Sequence, residues 1–122
     1  MPQVAATVEE IASLPGMDAC VLADVDSGMI VHRFGTLPHM ERIGEASVEF
    51  WRIQERLGEH FQNLGPLGSA AYSFHEHVIA LFPTHSHPAM VLICVARKAS
   101  IDWPSSRAAI ARLKQQLSSR PS

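Results

Sequence analysis

The chain is short of net charge, of cysteine and of long apolar runs, and each shortage removes a class of function. Ten Lys and Arg face twelve Asp and Glu, a formal charge of −2 over 122 residues. That balance supplies no field for nucleic acid or for an anionic membrane surface. Arg33, Arg42, Arg97 and Lys98 are scattered, and aromatic residues do not interleave with them as in strand-binding proteins. The two cysteines, Cys20 and Cys94, lie inside separate apolar runs, the setting of buried reduced thiols in a cytosolic protein. No apolar run approaches the ~20 residues of a membrane span. The N-terminus lacks the basic residues and apolar block of a signal peptide, so a cytoplasmic domain is expected.

Signatures of chemistry are also missing. There is no Gly-x-Ser-x-Gly elbow, no His-Glu-x-x-His and no phosphate-binding Gly-x-x-x-x-Gly-Lys loop. Neither cysteine has the polar surroundings that activate a thiol. Seven histidines are many for this length, and four fall in His75-Glu76-His77 and His85-Ser86-His87. His-x-His pairs suit metal ligation on a strand, where alternate side chains share a side. His77 and His85 flank one short strand, however, and would stand roughly 20 Å or more apart along it. Solvated turn histidines are expected, with no metal and no cofactor. Asp24 and Asp26 are read as turn residues rather than cation ligands.

What remains is a pattern of apolar stripes. With 47% apolar residues, the chain can build one core in one domain over residues 1–122. Val4, Val8 and Ile11 recur at helical spacing and predict a helix ending near Leu14. Ala19 to Ala23 and Met29 to Val31 are apolar runs separated by Asp24-Val25-Asp26-Ser27-Gly28, a hairpin with both strands apolar enough for a core. Met40 to Leu64 is the longest helical pattern, broken by Asn63 to Gly68. Ser69 to Phe74, Val78 to Phe82 and Met90 to Ala96 read as three strands, with Pro83 to Pro88 as a flexible loop. MVLICVA is continuously apolar and suits an interior strand covered on both faces. Asp102 and Pro104 suit the start of a last helix striped by Ile110, Leu113 and Leu117. Ser118 to Ser122 reads as a frayed tail. Short links between the strands favour antiparallel pairing, so the expected fold is an α+β sandwich of order αββαβββα.

At ~100° per residue the long helix divides into three sectors. Ile43, Ala46, Phe50, Ile53, Leu57, Phe61 and Leu64 form an apolar stripe, read as the core face. Glu41, Glu45, Glu49, Arg52, Arg56 and Glu59 form a solvated face. Met40, Gly44, Ser47, Trp51, Gln54 and Gly58 form the third. Two helical glycines cost about 1 kcal/mol each relative to alanine, which suggests close approach by another backbone. Trp among small residues suits a contact anchor. The third sector is therefore expected to meet a second helix, most simply its copy in a homodimer.

These residues resemble the roadblock / dynein light-chain domain family over roughly Val4 to Leu117. The resemblance rests on Leu14-Pro15-Gly16, Ala19 to Asp24, Asp26-Ser27-Gly28 and Met29 to Phe34, followed by the long helix, three strands and final helix in the family's order. It implies a profilin-like five-stranded antiparallel sheet, with the first and third helices on one face and the long helix on the other. It also implies a homodimer in which long helices pair and third strands add edge to edge, through Ser69, Ala71 and Ser73 here. Members are mostly non-enzymatic adaptors and regulators of Ras-like GTPases, so the implied partner is such a GTPase or another roadblock-like protein. The short tail after Leu117 omits a C-terminal extension that some GTPase-activating members carry. The alternative is a small-molecule sensor with a pocket between sheet and helices, near Tyr72 and the His75/His77 turn.

Overall fold

The computed structural model describes residues 2–119. In chain order they form α1 (Pro2–Ala12), β1 (Met17–Asp24), β2 (Ile30–Gly35), α2 (Met40–Arg56), β3 (Ala70–Ser73), β4 (His77–Ser86), β5 (Ala89–Arg97) and α3 (Trp103–Ser118), with a 3-10 helix over Gly58–Leu64 between α2 and β3. The strands make one sheet in the order β2-β1-β5-β4-β3, every neighbouring pair antiparallel. α1 and α3 pack on one face and α2 on the other. This is the expected αββαβββα sandwich.

Burial follows the apolar pattern most closely at the sheet centre. β5 is buried without interruption from Met90 to Ala96, and its neighbour β1 is buried from Ala19 to Ala23. Cys20 and Cys94 pair directly across these two strands, fully buried, with their sulfurs 3.4 Å apart. Contact with Cys20 and burial together push the Cys94 thiol pKa well up. On this face Val4, Val8 and Ile11 of α1 meet Ile110, Leu113 and Leu117 of α3 above Leu22 and Leu92. The Thr7 hydroxyl, buried in that layer, lies within hydrogen-bond distance of the Gln3 carbonyl (3.0 Å) and of Gln116 Oε1 on α3 (2.9 Å). Outside it, Arg112 forms a two-pronged contact with Glu10, at 2.9 and 2.8 Å.

Turn chemistry sets the hairpin. The Ser27 amide donates to Asp24 Oδ1 and the Gly28 amide to the Asp24 carbonyl, while Gly28 takes a φ of 76°. Asp and Ser thus bond their own backbone, and glycine adopts the left-handed geometry. At Gly16 (φ 86°) an added Cβ would stand 2.7 Å from the Ile101 nitrogen, so a side chain there would collide with backbone.

Several boundaries differ from expectation. β2 is an edge strand with alternate residues exposed rather than a core strand, and Met29 and Val31 face outward. β4 runs through the expected loop to Ser86, leaving only His87-Pro88 before β5. Pro83 is tolerated because β3 pairs only as far as Leu81 and because the register slips between Pro83 and His85. Proline survives in sheets at such unpaired edges and bulges. His85 consequently lies in β4, with Nδ1 2.9 Å from the Pro88 carbonyl. His77 is not a solvated turn residue either, since its Nε2 sits 3.0 Å from Asp18 Oδ2, and Asp18 also pairs with Arg97. The three residues tie the ends of β4, β1 and β5. Asp102 occupies the N-cap position of α3, yet its carboxylate accepts from the Ser105 hydroxyl instead of a backbone amide. Ser118 closes α3, and residues 120–122 of the expected tail lie outside the described residues. The long helical pattern stops at Arg56 rather than Leu64, and Gly58 opens the tighter 3-10 turn that follows. Glycine is the weakest helix former after proline.

Candidate functional site

The orientation of α2 decides which surface the molecule offers. Met40, Gly44, Ser47, Val48 and Trp51 are its buried residues, packed on the chain's own sheet, and Trp51 is only 6% exposed. The reading of Met40, Gly44, Ser47 and Trp51 as a contact surface is therefore corrected. The close approach inferred from glycine is present at Gly44, but toward β1 and β2. A Cβ at Gly44 would lie 3.2 Å from Ile30 Cδ1 and 3.4 Å from Val21 Cγ1. The Ser47 hydroxyl is satisfied inside the layer by the Ile43 carbonyl at 2.7 Å. Gly58 has open space around it, with nothing within 4 Å of an added Cβ.

The stripe read as the core face is the one left outside. Ile43 and Phe50 are half-buried at its margin, whereas Ala46, Ile53, Leu57, Phe61 and Leu64 are exposed, Phe61 by 50% and Leu64 by 82%. Leu67, in the following loop, extends the apolar surface. One signal of this was available in the sequence. An apolar stripe from Ile43 to Leu64 is longer than a typical strand of about six residues, ~20 Å, could cover.

Edge strand β3 adjoins this surface. Its burial alternates, so Ala70 and Tyr72 turn toward α2 while Ala71 and Ser73 are exposed. Tyr72, expected beside a ligand pocket in the alternative reading, is instead stacked on Phe50 with ring centroids 4.3 Å apart. The Gln54 amide donates to the Tyr72 hydroxyl at 3.4 Å. Gln54 thus lies at the seam between helix and strand, and Ser69 is exposed just before β3. Among the described residues only β4 pairs with β3, so its other side offers free backbone donors and acceptors.

Arg52 was assigned to the solvated face, yet it anchors the helix. Its Nε and Nη2 donate to the Val25 carbonyl at 2.9 and 2.7 Å, and Nη2 reaches the Asp26 carbonyl at 3.3 Å. A Glu49 carboxylate pairs with Nη1. The guanidinium thereby holds α2 against the β1–β2 turn. No group of three or more His, Cys, Asp and Glu that could hold a metal ion occurs among the described residues. Nor is any helix among them long and apolar enough to cross a membrane.

No protein-family model matches the sequence, and no curated protein matches it. Solved structures do. A Roadblock/LC7 domain from Streptomyces avermitilis superposes with a TM-score of 0.75 at 14% identity, covering 96% of this chain and 93% of that one. MglB from Myxococcus xanthus gives 0.72 at 11% identity over 94% and 91% of the two chains. An MglB in a tetrameric arrangement gives 0.74 at 12% identity over 95% and 85%. The expected roadblock resemblance is borne out in the fold, almost end to end.

Proposed function

We propose that the chain is a dimeric, non-enzymatic regulatory or scaffolding module whose further partner is a small Ras-like GTPase or another roadblock-like protein. The observation that carries this reading is the outward apolar stripe of α2 and the 3-10 helix, joined through Phe50 and Tyr72 to the open edge of β3. Exposed contiguous apolar surface marks interaction sites, and a free strand edge is a template for pairing. Two copies related by a two-fold axis satisfy both at once. Ile53, Leu57 and Phe61 of one α2 region pack on the same residues of the other, and the two β3 strands extend the sheet through Ser69, Ala71 and Ser73. Such an interface is self-complementary. Gln54 and Gly58 stay at its border.

The paired helices then present a platform for a folded partner. Regulation of a GTPase is the role that the roadblock resemblance implies, carried out in the cytoplasm with no cofactor, nucleic acid or membrane engaged. The test uses the purified chain with Ras-like GTPases of the source organism, each loaded with GTP or with GDP. Light scattering should report twice the chain mass at micromolar concentration, and one loaded state should be retained on the immobilised chain. A monomer that retains neither state would sink the proposal.

A further inference from the structure

A recess lies on the face of the sheet opposite α2. Its floor is Ala71 of β3 with Ala80 and Phe82 of β4, and its wall is the face of α3 carrying Trp103 and Ile110. The Phe82 and Trp103 rings meet at 5.9 Å, tilted by 57°. The recess exists because α3 packs over β4 without reaching the sheet edge, so β3 has no helix above it on this side. Its volume is about 370 Å³, within the usual range for small-molecule sites.

Charge is distributed unevenly around this recess. Arg107 and Lys114, two turns apart on α3, both line it. Neither makes an ion pair or a side-chain hydrogen bond among the described residues, unlike Arg112 on the same helix. Seven residues of helix separate their Cα atoms by about 10 Å, and both long side chains can converge on one anion between them. Among the described residues no carboxylate lines the recess to neutralise them.

We propose that this recess binds a small organic carboxylate, its apolar body on Phe82, Trp103 and Ile110 and its head group between Arg107 and Lys114. At roughly 30 Å³ per heavy atom, the share a water takes in the liquid, the space accommodates about a dozen heavy atoms. A peptide added along β3 would continue the sheet in its own plane and leave this volume empty. The recess shares Ser69 and Ala71 with the β3 edge of the proposed dimer, but its cationic pair lies on α3, so failure to bind a carboxylate leaves the dimer proposal standing.

Decanoate and 2-naphthoate, a chain and a ring of suitable size, serve as probes, with butyrate and decyltrimethylammonium as controls. Calorimetric titration of the purified chain should show saturable binding of one probe per chain, and the better probe tells whether the body is chain or ring. Butyrate and the cation should bind at least about tenfold more weakly. The exposed pair R107E/K114E should reduce affinity by at least about tenfold while leaving the thermal melt in place. Amide resonances of Phe82, Trp103 and Ile110 should move on titration. Lack of saturation at millimolar probe, equal binding of the cation, or affinity unchanged by charge reversal would overturn the assignment.

Discussion

The two faces of the sheet are finished differently. On one, α1 and α3 pack on each other as well as on the sheet, and side-chain bonds from Thr7 to Gln116 and from Arg112 to Glu10 join them. That layer is closed by the chain itself over the centre of the sheet. On the other, α2 lies alone. It seats Met40, Gly44, Ser47, Val48 and Trp51 on the sheet, while Ile53, and Leu57 just past its end, stay exposed. Apolarity alone therefore does not say which way a helix faces. Small residues at Gly44 and Ser47 allow close seating on the chain's own sheet, and the stripe of Ile53 and Leu57 is left exposed.

The largest test of this contrast is Trp51→Ala. Trp51 is a core residue of its own chain, so the substitution should cost about 3–5 kcal/mol of stability in urea unfolding. If stability holds and only self-association weakens, the inward orientation of α2 is wrong. Next comes Leu57→Glu combined with Phe61→Glu on the outward stripe. These residues are largely exposed, so the fold should persist, while sedimentation should show self-association at least about thirtyfold weaker.

A smaller effect separates the two glycines. Gly58→Ala enters open space and should raise stability by about 0.5–1 kcal/mol. Gly44→Ala gains the same helix propensity but presses on Ile30 and Val21, so its net change should fall below that of Gly58→Ala in parallel denaturant titrations. The smallest effect belongs to the closed face. Hydrogen bonding to Arg112, opposed by slight burial, holds the Glu10 carboxyl below its usual pKa. A lowered folded value gives stability that is present above the unfolded pKa, about 4.3, and is lost as pH falls through the folded one. Glu10→Gln should thus lower the melting temperature slightly at pH 7, and the gap from the parent chain should close under acid.

The fold was legible because its signals were local or periodic. Asp24 to Gly28 bonds its own turn, MVLICVA suits an interior strand, and Ile110, Leu113 and Leu117 step along one face. The interaction surface was half legible. Helical spacing separated the stripe of Ile53 and Leu57 from the sector of Gly44 and Trp51. The length of the stripe pointed to the answer, but fixing it required knowing how closely α2 approaches β1, which is a packing distance. Arg52 escaped notice because an arginine beside Glu49 reads as solvent-facing until its carbonyl acceptors at Val25 and Asp26 are known. Pro83 hid the length of β4 because its tolerance depends on where β3 stops.

The pairing of β1 with β5 also has a temporal consequence. Cys20 and Cys94 face each other across 74 residues of chain, so the strand made first is completed by the strand made last. Contacts so distant in sequence must close a long loop before they gain anything, and such topologies fold slowly. During synthesis the apolar β1 therefore waits with one edge bare until β5 has left the ribosome. We expect nascent chains truncated before Met90 to remain protease-sensitive, with protection arriving abruptly once the segment through Arg97 emerges.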